Sequence, residues 1–168
     1  MGFSEQLESL YAGERNRLFT YALSFLGDAE GSEDVVQDVF RKLCEAPVKA
    51  ADLRAFVYRC VRNRALDVVR SQARRKRNPA EEAIASIYAI DQPAPWAGLL
   101  SQERAKQVEQ ALRTLRAEER EVLVLRIYGD MTFDSISKVL EAPLGTVTSQ
   151  YRRALAKLRR RLQGERPG

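Results

Sequence analysis

Apolar residues recur every three or four positions through most of the chain, and no stretch alternates apolar and polar residues as a half-buried strand would. The pattern predicts helices over about 4–26, with a break near Gly13, then over 32–45, 52–74, 98–115, 117–128, 132–140 and 143–162. Gly27-Asp28 and Gly31-Ser32 punctuate the first join, and Pro47 marks a loop in CEAPVKAAD. Gly129 stands where a C-terminal helix cap belongs. Pro93 and Pro95 forbid a continuous helix between the two halves. The expected fold is therefore all-α: two small helical domains, 1–77 and 98–168, joined by a proline-containing linker over 78–97. A short helix near 80–88 fits the linker, whose Ile84, Ile87, Tyr88 and Ile90 are apolar enough to touch a domain or a partner.

Two of these helices have a basic face. On a helical wheel of 54–77, Val57, Val61, Ala65 and Val68 fall on one side. Arg59, Arg62, Asn63, Arg70, Arg74 and Arg77 fall opposite. Asp67 is the one acid, with Arg64 and Arg70 three residues away on either side and able to pair with it. In 143–162, Leu144, Val147, Tyr151, Leu155, Leu158 and Leu162 point inward, while Thr146, Ser149, Gln150, Arg153, Lys157 and Arg160 point outward. Pro143 suits the first helical position, where its missing N–H costs nothing. Upstream, Thr132 suits an N-cap, Asp134 the first turn, and Phe133, Ile136, Val139 and Leu140 face inward. Two helices joined by Glu141-Ala142-Pro143 make a helix-turn-helix, whose second helix enters a major groove by its N-terminal end. Short hydroxyl and amide side chains there approach base edges, and arginines further along reach phosphates.

Charge sharpens this picture. Residues 1–53 carry 5 basic and 10 acidic side chains, residues 54–78 carry 9 and 1, residues 79–142 carry 7 and 11, and residues 143–168 carry 7 and 1. An acidic helical stretch followed by a basic helix thus occurs twice, and two separated basic faces suit a long polyanion. The 168 residues contain no histidine, no glycine-rich phosphate loop and no Gly-x-Ser-x-Gly elbow, which argues against an enzyme and against a bound cofactor or metal. Cys44 and Cys60 lack metal-ligand spacing and sit among apolar residues, so buried free thiols in a cytoplasmic protein are expected. No apolar run is long enough to span a membrane, and the N-terminus does not read as a signal peptide.

The stretches SEDVVQDVFRKL, LRAFVYRCVRNRALDVVRSQARRK and LRAEEREVLVLRIYGDMTFDSISKVLEAPLGTVTSQYRRALAKLRRRL resemble the extracytoplasmic-function (group IV) sigma factors of bacterial RNA polymerase. The resemblance implies an alternative sigma factor that binds core RNA polymerase and directs promoter-specific initiation. Its first domain would dock on polymerase and melt the −10 element; its second would read the −35 element. Carried onto this chain, Asp34, Gln37, Asp38 and Phe40 lie on the docking helix, and Arg59, Arg62, Asn63 and Arg70 on the promoter-facing one. The loop from Cys44 to Asp52 matches the position that captures a flipped base, but it is short and has no aromatic residue. Many relatives carry basic residues where this chain has Thr148 and Gln150, which predicts weaker or redirected −35 recognition. The family also implies an anti-sigma partner. A free-standing helix-turn-helix regulator explains Thr132 to Leu162 but neither the acidic helix nor the first basic one. A protein-only helical adaptor predicts no salt-dependent DNA binding at all.

Overall fold

The computed structural model describes residues 2–75 and 102–164, and every regular element within them is helical. The predicted linker, Arg77 of the basic stripe and the residues 98–101 that begin the fourth predicted helix lie outside the described residues. Two compact units are present.

The first unit is built by α1 (Phe3–Leu26), α2 (Ala29–Glu45) and α3 (Leu53–Arg75), each packed against the other two. Its core takes Leu7, Leu18, Tyr21 and Phe25 from α1, Val35, Val36, Val39 and Leu43 from α2, and Val57, Tyr58, Val61 and Ala65 from α3. Full burial of an apolar side chain of this size contributes about 1.5–3 kcal/mol, so this interface outweighs weak local propensities. That explains why α1 runs unbroken through Gly13, where a break was expected: a glycine in a helix interior costs only about 1 kcal/mol relative to alanine. The helix stops at Gly27, whose φ of 65° is left-handed and whose N–H bonds to the Leu23 carbonyl. Asp28 then caps α2, accepting a hydrogen bond from the Gly31 N–H at 2.7 Å. The helix therefore begins one turn before the predicted residue 32, and Gly31 lies inside it. In the second half of α3, Val69 rather than Val68 joins the core, Val68 being half-buried. Cys44 is exposed and Cys60 half-buried, so the expectation of two buried thiols fails.

The second unit comprises α4 (Gln102–Arg113), α5 (Ala117–Leu123), a π-helical turn (Val124–Tyr128), most of α6 (Phe133–Leu140), and α7 (Leu144–Leu162). Leu112, Leu115, Leu123 and Ala154 form a core on which Val108, Tyr151, Leu155 and Leu158 pack. The buried Arg120 guanidinium donates to the Leu112 carbonyl at 2.8 Å and so closes the C-terminal end of α4. Gly129 follows the π-helical turn at the capping position, but its φ of −72° needs no glycine. Space explains it instead: a Cβ there would lie 2.6 Å from the Leu125 carbonyl oxygen. The left-handed residue is Asp130, with φ 49°.

The helix-turn-helix is locked at each join. The Arg126 guanidinium donates to the Met131 carbonyl at 2.8 Å and stacks 4.8 Å from the centre of the Phe133 ring. Thr132 caps α6 as predicted, accepting from the Ser135 N–H at 3.1 Å. Glu141 turns the chain in the left-handed region, and the Ala142 N–H bonds to the Ser137 carbonyl at 3.2 Å. Pro143 stands one residue outside α7, extended at ψ 144°, with its carbonyl accepting the first helical bonds; it is the cap and not the first helical residue. Phe133 and Tyr151 meet edge to face at 5.1 Å, tying α6 to α7. Val147 and Ala154 are fully buried, while Leu144 and Leu162, predicted inward, are each 49% exposed at the two ends of the helix.

Candidate docking and nucleic-acid surfaces

The acidic side of the first unit belongs to α2. Asp34 and Gln37 are exposed, and Gln37 donates to Glu33 at 3.0 Å. Asp38, expected on the docking helix with them, is instead a hub within the chain. One carboxylate oxygen accepts from Arg41 at 2.7 Å. The other lies 3.1 Å from Lys42 and 2.9 Å from Arg64 of α3. Hydrogen bonds from Arg41 and Lys42, with the Arg64 charge, hold its carboxyl down at about 2. Arg64 therefore pairs across to α2 rather than with Asp67, which is left to Arg70 at 3.7 Å. Phe40 is 8% exposed and meets Tyr11 edge to face at 4.8 Å, so most of its ring is core. Its remaining edge lines a hollow of about 340 Å³ with Leu7, Glu8, Tyr11, Gln37 and Cys44.

On α3, Asn63, Arg70 and Arg74 are exposed, and Arg59 and Arg62 half-buried. The Arg59 guanidinium lies 5.3 Å from the Phe56 ring centre. The helix is anchored through Glu14 of α1, a buried carboxylate that accepts from the Tyr58 hydroxyl at 2.7 Å, from Arg54 at 3.1 Å and from Arg17 at 3.2 Å. Burial raises the Tyr58 pKa strongly, so its hydroxyl stays a donor. Between α2 and α3, Val48, Lys49, Ala50, Ala51 and Leu53 line an open hollow of about 410 Å³ together with Phe3 and Gln6. The loop has no aromatic of its own, and the first turn of α1 supplies one. Local sequence holds no signal for this, because Phe3 and the loop are brought together only by the three-helix packing.

On α7, Thr146, Arg153 and Arg160 are exposed as predicted, and Ser149 and Gln150 are half-buried. Arg152, Arg159 and Arg161 add exposed charge around the same helix. Thr148 turns its hydroxyl back to the Leu144 and Gly145 carbonyls, both at 3.1 Å. Lys157 departs from the predicted outward row: its amine lies 2.8 and 3.0 Å from the two oxygens of Glu119, which is 2% exposed.

The two units match two family models. Residues 10–75 match Sigma-70 region 2 and residues 105–158 match Sigma-70 region 4, together more than half of the chain. The ECF RNA polymerase sigma factor SigK of Mycobacterium tuberculosis H37Rv is 24% identical over 153 residues, spanning 89% of this chain and 81% of SigK. SigK of Mycobacterium sp. KMS is 27% identical over 149 residues, spanning 86% of this chain and 76% of that protein. Two solved structures share the fold with a TM-score of 0.67 each. One is sigma factor RpoE of Bartonella quintana in complex with the anti-sigma factor NepR, 22% identical and covering 98% of both chains. The other is CnrH in complex with the cytosolic domain of CnrY, 23% identical and covering 98% of this chain and 92% of CnrH.

Proposed function

Because the chain belongs to the sigma-70 family as an extracytoplasmic-function sigma factor that directs transcription initiation, we propose how its two units divide that work. Residues 1–77 dock on core RNA polymerase through α2 and melt the −10 element with α3. Residues 98–168 read the −35 element with α7, and 78–97 link the two. Asp34 and Gln37 form the polymerase-facing row, and the hollow beside Phe40 takes an apolar side chain of the partner. Arg59, Arg62, Asn63 and Arg70 face the promoter strand. The hollow beside Phe3 receives the unstacked base, whose stacking on the ring offsets an unstacking cost of a few kcal/mol. Thr146, Ser149, Gln150 and Arg153 read base edges, and Arg160 holds phosphate. The protein catalyses no reaction and works in the cytoplasm, where polymerase and promoter are. An anti-sigma factor is its expected regulator, since RpoE and CnrH are seen bound to NepR and CnrY.

The observation that carries this reading is the pairing, within one three-helix unit, of an exposed polar row on α2, with Asp34 as its open acid, and a basic row on α3. A duplex-binding regulator has no use for the first. Asp34 is the clean probe of it, because Asp38 is committed to its own three cations. Asp34→Arg is expected to weaken binding to core polymerase about tenfold at low salt, equivalent to roughly 1.4 kcal/mol. Its melting temperature should hardly move, since exposed charges contribute little to stability. Titration of labelled protein against core polymerase measures this; unchanged affinity at low and physiological salt would remove α2 from the docking surface.

A further inference from the structure

We propose that Lys157 is a positioning residue of α7, held by Glu119, and not one of the DNA contacts of the helix. The inference rests on the reading of α7 as the −35 reader. The Lys157 amine bonds to both carboxylate oxygens of Glu119, 38 residues away, at 2.8 and 3.0 Å. Glu119 is 2% exposed and also accepts the Arg116 N–H at 3.0 Å, at the start of α5. Burial opposes its charge, but the hydrogen bonds from Lys157 and Arg116 outweigh that and keep its carboxyl below the usual range. Turning Lys157, itself half-buried, out to a phosphate would strand this buried carboxylate, and a buried charge left without its cation costs more than one exposed phosphate contact returns.

The pair also does what the apolar contacts of α7 cannot. Tyr151, Leu155 and Leu158 press the helix onto Leu112, Leu115 and Leu123. That attraction is non-directional, so it resists separation better than it resists a small rotation or slide. An ion pair with a buried partner resists both, because either motion draws the Lys157 amine away from the Glu119 carboxylate. Lys157 lies one turn beyond Arg153, so the angle at which Thr146, Ser149, Gln150 and Arg153 meet the groove is set from Glu119 through this side chain.

The test uses holoenzyme reconstituted with wild type, Lys157→Met, Lys157→Arg and the double variant Glu119→Met/Lys157→Met. Each is read by selection from a randomised −35 library and by the salt dependence of promoter binding. Lys157→Met should broaden base preference at several adjacent −35 positions with the wild-type salt slope, and Lys157→Arg should restore the preference. The double variant removes both charges and should melt above Lys157→Met, again with the wild-type slope. A slope lower by about one unit in Lys157→Met or in the double variant means a lost phosphate contact and overturns the proposal. Unchanged preference in Lys157→Met overturns it equally. Failure of wild-type holoenzyme to select any −35 sequence would instead remove the reading of α7 itself, and this inference with it.

Discussion

Glu14→Ala lowers the melting temperature of the first unit by roughly 10–20 °C, from a loss of about 2–3 kcal/mol at about 4–8 °C per kcal/mol for a unit of this size. The effect is large because three side chains from two helices, Arg17, Arg54 and Tyr58, end on this one carboxylate. Tyr58 is 1% exposed, so its hydroxyl finds no water once its acceptor is gone. The side chains of Arg17 and Arg54 are 42% and 28% exposed and partly rehydrate, which holds the loss below that of a fully buried ion pair. Tyr58→Phe removes one of the three partners and leaves the arginines on Glu14, so it should lose less than half as much. Thermal melts followed by tyrosine near-ultraviolet circular dichroism report on this directly, since Tyr58 lies 5.6 Å from the Tyr21 ring. Acid supplies a second check. Burial pushes the Glu14 carboxyl up, but bonds from Arg54 and Tyr58 and the charges of Arg54 and Arg17 outweigh it, leaving it below its ordinary 4.5. A depressed carboxyl stabilises fully above its unfolded value and loses that contribution as pH falls through the folded one. The gap between wild type and Glu14→Ala should therefore be constant at neutral pH and close below about 4.5. A melting shift under about 3 °C would mean that the network contributes little to holding α3 on α1.

Arg153→Ala changes the preferred −35 sequence, whereas Arg160→Ala lowers affinity for all sequences alike. Both side chains are exposed on α7, but Arg153 lies within three turns of its N-terminal end and Arg160 about two turns further on. Losing a good base-edge contact costs roughly 1–3 kcal/mol and relaxes preference at one position. Losing a phosphate contact flattens the salt dependence by about one unit of slope and leaves the preference alone. Thr148 and Gln150 supply no cation at the front of this helix, and the Thr148 hydroxyl is turned back on its own backbone. Arg153 is thus the first basic side chain but one along α7, next to Arg152, and its loss should be felt more strongly than in a helix with a basic front. Selection from a randomised −35 library at two salt concentrations separates the two roles. An altered preference in Arg160→Ala with an unaltered one in Arg153→Ala would place the helix differently in the groove.

The helices and the turn between α6 and α7 were legible because they rest on local signals. The 3.6-residue apolar period marks α1 to α7, Thr132 fits its cap, and Gly27 and Pro143 stop and start helices beside their predicted places. The basic rows were legible for the same reason, since a wheel needs only spacing. The side-chain pairing was not. A wheel puts Asp38 and Lys157 outward, yet each meets a partner 26 or 38 residues away that only tertiary packing delivers. Nothing local marks Glu14 as a buried acceptor either, because its donor Tyr58 lies 44 residues on. The same holds for Phe3 beside the loop after α2, and for Cys44, which sits in an apolar stretch of sequence but on the open side of its helix. Val69 is buried and Val68 half-buried, and a pattern with two adjacent valines cannot resolve which of them faces the core.

Transcription from a promoter library randomised at both elements, with core polymerase and this protein as the sole sigma factor, separates a two-element sigma factor from a duplex-binding regulator. A sigma factor with two reading units should enrich two short sequence blocks at a fixed separation, one in the −35 and one in the −10 region. Arg153→Ala should alter only the upstream block and Asn63→Ala only the downstream one. Enrichment of a single block, bound equally well by the protein without polymerase, would contradict it and leave a free-standing duplex-DNA regulator.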